Sequence, residues 1–219
     1  MINRSIFKIT NQPKGDNMET NENKQSFIAE ARREQIIKAA IETLEEIGFV
    51  STSLAKIAKK AKISTGLISY HFSNKLDLMN STLEYLLAAQ FTFISDKVNQ
   101  KEKATDKLTA FIEASLVYQE TKKANNIALI EIVFNARTED HIPYYQLQDV
   151  EEEDPIQELL ESILNQGKQT KEFGEFDTSL VKQVIIGTIS EKMLSSINEE
   201  IEFDSYFYEL NRLILKLVQ

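Results

Sequence analysis

Hydrophobic positions along this chain recur mainly at spacings of three and four, and long stretches contain neither glycine nor proline. That spacing lines apolar side chains along one face of a helix, so the chain is predicted to be all-α. Ile36, Ile37, Ala40, Ile41, Leu44 and Ile47 form one stripe. They place a first helix over about 27–47, with Ser26 as its cap and Gly48 as a stop residue able to take positive φ. A short second helix is predicted over about 54–61. Leu54, Ile57, Ala58 and Ala61 face inward there, Lys56, Lys59 and Lys60 face outward, and Thr52 and Ser53 offer capping oxygens. A turn follows at Lys62-Ile63. Ser64 then caps a third helix over about 65–72, whose apolar side comes from Leu67 or Ile68 and from Phe72. Gly66 in its first turn lowers helix propensity, which makes sense if something must approach the backbone closely. Two short helices joined by a tight turn, after a longer helix, read as a helix-turn-helix. Helices this short are unstable alone and must pack on the first one.

Beyond this module the pattern predicts helices over about 74–98, 105–120 and 125–136. The last of these is apolar nearly all round and is expected to be buried. Residues 141–149 read as a loop. The acidic run 151–154 before Pro155 marks a helix start, and that helix ends near Gly167. Two further helices cover about 178–197 and 205–218, both apolar over a wide arc. One face of each suits a core and a second suits a partner, with a single large core as the alternative. The residues assigned to a dimer interface are Val184, Ile185, Ile189, Met193, Leu210, Leu213, Ile214 and Leu217.

Composition narrows the classes. With 42% hydrophobic and 27% charged residues the 219-residue chain is globular rather than disordered. Cysteine is absent, which excludes disulfides, a cysteine nucleophile and thiolate metal sites. No apolar run reaches transmembrane length and no secretory h-region is present, so a cytoplasmic protein with no membrane partner is expected. The net charge of −9 argues against a nucleic-acid binder until it is divided. Residues 26–80 carry eight basic and six acidic side chains, whereas residues 81–219 carry 13 and 25. Between Phe49 and Leu76 stand Lys56, Lys59, Lys60, Lys62 and Lys75 with no acid at all. A local basic patch matters more to DNA than the global sum, although a solvated lysine face accounts for it equally. Residues 1–25 are polar and aperiodic and are expected to form a flexible tail, within which Met18 is an alternative start. The expected organisation is therefore 1–25 tail, 26–80 helix-turn-helix domain and 81–219 second helical domain.

The run Thr52-Ser53-Leu54-Ala55-Lys56-Ile57-Ala58-Lys59-Lys60-Ala61, continued by Ile63-Ser64-Thr65-Gly66-Leu67-Ile68-Ser69-Tyr70-His71-Phe72 and Asn74-Lys75, resembles the tetracycline-repressor-like (TetR/AcrR) family of regulators. The resemblance covers about 32–83 without a gap. Two positions depart from it: Lys62 stands where the family usually has a turn glycine, and Ser69 where it usually has a tyrosine. The resemblance implies that the third helix enters the DNA major groove, where all four base pairs are distinguishable. Carried over by position, the DNA-contacting residues would be Thr52, Ser53, Ser64, Thr65, Gly66, Leu67, Ser69, Tyr70, His71 and Lys75. Tyr70, His71 and Lys75 would reach phosphates. Ile68 and Phe72 belong to the core instead. No Arg, Asn or Gln lies on the third helix, so bidentate readout of G or A is missing there.

The resemblance also implies a small-molecule pocket in the second domain and a dimer on a pseudo-palindromic DNA operator. The pocket residues singled out are Phe91, Phe111, Tyr118, Glu131, Asn135, Tyr144 and Tyr145, although most serve equally well as core. Glu131 stands out because it interrupts the apolar run 127–134. Buried, it needs a partner.

An enzyme is disfavoured. Glu-x-x-His metal pairs are absent, since Ile68 and Thr138 stand three before the two histidines. Neither a Walker loop nor a Gly-x-Ser-x-Gly elbow occurs. No cofactor or metal is expected. The reading is a ligand-responsive, homodimeric repressor with an unidentified small-molecule effector. A ligand-dependent activator and a helical interaction module that does not bind DNA remain alternatives.

Overall fold

The computed structural model describes residues 20–147, 154–195 and 202–219, without the side chains of 20–25. The tail up to residue 19, Met18, the acids at 151–153 and the predicted helix end at 196–197 lie outside the described residues. The described residues form α1 (Thr20–Ser51), α2 (Leu54–Ala61), α3 (Thr65–His71), α4 (Lys75–Val98), α5 (Ala104–Thr121), α6 (Lys123–Asn135), α7 (Pro155–Thr170), α8 (Thr178–Ser195) and α9 (Phe203–Val218). A short 3-10 turn occupies Tyr144–Gln146.

Two expectations about α1 change. It starts at Thr20, so Ser26 lies inside the helix and does not cap it. Neither Gly nor Pro occurs between Gly15 and Gly48, so nothing in that stretch stops the helix from extending towards its N-terminus. At the other end Gly48 takes φ 70°, ψ 171°, as expected of a glycine stop, but one more turn of helical backbone follows it. The third helix stops at His71, and Phe72 caps it in an extended conformation.

The described residues divide into two compact units, 20–86 with 127–145, and 87–126 with those of 146–219. The division falls within α4 and within α6, not at residue 80, and a segment expected in the second domain belongs to the first unit.

In the first unit α2 packs on both α1 and α3. Ile36, Ala40, Ile41 and Leu44 of α1, Ile57, Ala58 and Ala61 of α2, Ile68 of α3, Phe72, and Leu78 and Met79 of α4 are all buried. Ile68 rather than Leu67 is the inward residue of α3. The expectation of a wholly buried α6 is not met. Ala128 and Ile132, one turn apart, are buried, while Phe134 is half exposed.

In the second unit α5 packs on α7, α8 and α9 around a core of Leu108, Phe111, Ile112, Leu160, Leu164, Ile185 and Ile214. Asp154 caps α7 by accepting from the Ile156 N–H, with Pro155 in the first turn. That confirms the helix start read from the acidic run, since Pro lacks the N–H that a first turn leaves orphaned.

Candidate nucleic-acid interface

The helix-turn-helix is built from its caps. Ser53 Oγ accepts from the Lys56 N–H ahead of α2, and Ser64 Oγ accepts from the Leu67 N–H at 3.2 Å ahead of α3. Between them Lys62 adopts φ 56°, ψ 43° in the left-handed region. Its N–H bonds to the Lys59 carbonyl and the Ile63 N–H to the Ala58 carbonyl, which closes the helix end in the Schellman pattern. The turn therefore needs the conformation glycine adopts freely, and here lysine adopts it at a cost.

This arrangement leaves one face of α3 open. Ser64, Thr65, Gly66, Ser69 and Tyr70 are exposed, Tyr70 at 80%. Leu67 and His71 are half-buried, and the two rings of Tyr70 and His71 meet edge to face at 5.1 Å. Thr52 differs from expectation. It is 4% exposed and its hydroxyl donates to the Gly48 carbonyl at 2.7 Å, so it is spent inside the fold and Ser53 remains on the α2 side.

The lysines are also divided. Lys56 Nζ donates to the Ser51 carbonyl, and Lys60 pairs with Glu46 and Glu42 of α1. Lys59 and Lys62 are exposed. Lys75 Nζ donates to the Phe49 carbonyl at 2.6 Å and sits 4.2 Å from the centre of the Phe49 ring. Burial pushes the Lys75 ammonium below its usual pKa. In this conformation Lys75 braces α4 against the end of α1, instead of extending towards a phosphate.

Two residues complete the frame. Arg33 was missed by sequence reasoning. Its Nη1 donates to the His71 carbonyl at 2.7 Å, its Nη2 to Ser81 Oγ at 3.2 Å, and its guanidinium lies 4.3 Å over the Phe72 ring. Its position one turn before the inward Ile37 on the first-helix stripe was the available signal. Glu131, singled out as a pocket residue, instead accepts from the Phe49 N–H at 2.7 Å and from Asn135 Nδ2 at 3.2 Å.

The remaining pocket assignments fall in different units. In the first, Tyr144 donates its hydroxyl to Asn80 Oδ1, while Tyr145 is half exposed and stacks on Phe134. In the second, Phe111 is fully packed in the core, Phe91 packs against it, and Tyr118 meets the Phe93 ring at 5.5 Å and accepts from Asn125. Among the polar side chains the same unit buries are Gln119 and Lys192, which the sequence did not flag. Gln119 donates to the Ile189 carbonyl while its Oε1 has no hydrogen-bond partner. Lys192 lies 5.2 Å from the Tyr206 ring centre and 4.0 Å from Glu120.

The dimer assignments split as well. Ile185, Ile189, Leu210 and Ile214 are buried in the unit's own core, which leaves them little surface for partner contacts. Val184, Leu213 and Leu217 are exposed, as are Leu180 and Leu194, and Met193 is half-buried.

Residues 36–82 match the model of bacterial regulatory proteins of the tetR family. The fatty acid metabolism regulator protein of Bacillus subtilis (strain 168) is 27% identical over 175 residues, spanning 78% of this chain and 86% of that protein. The HTH-type transcriptional regulator BetI of Stenotrophomonas maltophilia (strain R551-3) is 41% identical over 56 residues, 26% of this chain and 29% of that one. Among solved structures, the transcriptional regulator FadR from Bacillus subtilis in complex with stearoyl-CoA superposes with a TM-score of 0.71 at 23% identity, covering 84% of this chain and 98% of that one. The fatty acid degradation regulator FadR from Bacillus halodurans gives 0.69 at 23% identity, over 84% and 94%. These structural likenesses establish the fold, and the match over 36–82 falls on the capped α2–turn–α3 module. Residues 36–82 thus match the helix-turn-helix module of bacterial regulatory proteins of the tetR family, and the chain as a whole is similar to regulators that carry it.

Proposed function

We propose that the protein is a ligand-responsive repressor that binds a pseudo-palindromic operator as a homodimer in the cytoplasm. The observation that carries the reading is the open face of α3, where Thr65, Gly66, Ser69 and Tyr70 stand clear of the fold. The Thr65 and Ser69 hydroxyls serve as donors or acceptors to base edges, and Gly66 lets the backbone come close. Tyr70, with Lys59 and Lys62 beside the turn, suits phosphate contacts, which fix register without reading sequence. With no bidentate Arg, Asn or Gln on α3, specificity rests partly on DNA shape and on the spacing of two half-sites.

Two-fold symmetry requires a self-complementary face. Val184 of α8 with Leu213 and Leu217 of α9 supply it. The effector is assigned to the second unit, whose apolar interior also holds the partnerless Gln119 Oε1. An apolar molecule with a hydrogen-bonding group fits that chemistry. The Bacillus subtilis relative crystallised with stearoyl-CoA makes a long-chain acyl-CoA the first effector to try.

Selection of bound sequences from a random DNA pool at near-physiological salt tests the reading. A recovered palindrome whose binding weakens steeply with salt is expected, and release by stearoyl-CoA would identify the effector class. Failure to enrich any sequence, with and without acyl-CoA present, would overturn the DNA-binding reading.

A further inference from the structure

Phe49 is held from three directions. Its N–H donates to Glu131 Oε2 of α6 at 2.7 Å, its carbonyl accepts from Lys75 Nζ of α4 at 2.6 Å, and its ring lies under the same ammonium. Gly48, with φ 70°, turns the backbone aside just before it. The Gly48 carbonyl accepts from Thr52 Oγ1, and the Phe49 carbonyl also accepts from the Thr52 N–H at 3.2 Å. Residues 48–52 are thereby pinned immediately ahead of Ser53, the cap of α2. The fit is close, since a Cβ on Gly48 would lie 3.2 Å from Glu131 Oε2.

We infer that Glu131 is a positioning residue for DNA binding, which sets the presentation of α2 and α3 by holding the Phe49 N–H. The inference rests on the DNA-binding reading above. A carboxylate accepting from a backbone N–H makes a charge-assisted hydrogen bond, stronger than a neutral one. It acts at the junction through which α1 leads into α2. Glu131 is 82 residues from Phe49 in sequence. Its helix begins in the second unit, at 123–126, and enters the first at Ile127. Glu131 sits one turn beyond Ile127, so the contact fastens the module from the part of the chain that arrives from the effector-bearing unit.

The test uses the full chain with Glu131→Ala, Glu131→Gln and Glu131→Asp. Operator affinity is expected to fall about tenfold or more for Glu131→Ala, the scale of one lost charge-assisted hydrogen bond. Glu131→Gln, which keeps an acceptor oxygen but not the charge, is expected to lose clearly less affinity than Glu131→Ala. The slope of log affinity against log salt is expected to be unchanged, because Glu131 touches no phosphate. Amide exchange over residues 49–72 in the DNA-free protein is expected to accelerate in Glu131→Ala. Parent-like affinity and exchange in Glu131→Ala would overturn the inference, as would an equal loss in Glu131→Gln. If Glu131→Ala does not fold, Glu131→Asp decides. One methylene too short, it is expected to lose affinity with native circular dichroism, and parent-like binding would count against the inference. If the parent itself binds no operator, the DNA-binding reading falls, while the exchange comparison still shows whether Glu131 holds residues 49–72.

Discussion

Arg33 Nη1 lies 2.7 Å from the carbonyl oxygen of His71, so a residue in the first helix holds the last residue of the third. The guanidinium fork reaches Ser81 with its other nitrogen and covers the Phe72 ring. One planar cation thus ties α1, the end of α3 and α4 together. A lysine there is a point charge that cannot span both acceptors. Arg33→Lys is expected to lower stability by about 1–3 kcal/mol in urea unfolding and to weaken operator binding further than that loss of folded protein explains. Unchanged stability would mean that the three contacts carry no net weight.

Lys62 sets stability against binding. Its left-handed conformation costs roughly 1 kcal/mol relative to glycine. Lys62→Gly is expected to raise the melting temperature by a few degrees while weakening operator binding. If the Lys62 ammonium meets a phosphate, the salt slope should become shallower by about one unit. A lower melting temperature in Lys62→Gly would contradict the strain argument.

Glu172 gives a pH dependence. The backbone N–H groups of Ala104 and Thr105 and the hydroxyls of Thr105 and Thr170 all donate to its carboxylate at the start of α5. The Thr105 N–H leads in holding its pKa at about 2, below the ordinary 4.5. A carboxyl whose pKa is depressed by folding contributes stability fully above its unfolded value and loses it as pH falls through the folded one. Glu172→Gln is therefore expected to melt a few degrees lower than the parent at pH 7. The gap should narrow as pH drops from about 4.5 towards 2. A gap that stays constant across that window would show that the carboxylate charge is not what caps α5.

Leu213 and Ile214 are adjacent on α9 and face opposite environments, at 57% and 3% exposed. Leu213→Glu combined with Val184→Glu is expected to give a folded monomer in sedimentation and to weaken operator binding at least tenfold, because half-sites are then bound one at a time. Ile214→Glu is expected instead to unfold the second unit, since it buries an unpaired charge. A dimer that survives the double substitution would place the interface elsewhere.

These residues show where sequence reading succeeds. The α2 bounds, the Ser53 and Ser64 caps and the positive φ of Gly48 were all legible, because each depends on neighbours within about one helical turn. Thr52 was misjudged among the caps for the same reason. Two adjacent hydroxyls satisfy the same local rule, and only packing against Gly48 decides which one turns inward.

The sequence by itself determined the helical class, the order of the elements, the helix-turn-helix and the family resemblance of that module, since apolar spacing, caps and a gapless motif are local properties. Tertiary structure decided the partners. It alone joined Phe49 to Glu131 and Lys75, turned Lys75 inward, put Arg33 on the end of α3, and separated Ile185, Ile189, Leu210 and Ile214 from the exposed Val184, Leu213 and Leu217. An apolar arc on α8 or α9 is wide enough to serve two surfaces, and helical periodicity carries no record of which surface another helix will cover. A carboxylate in an apolar run likewise states only that it needs a donor. Which donor it finds, 82 residues away, is set by how the helices pack.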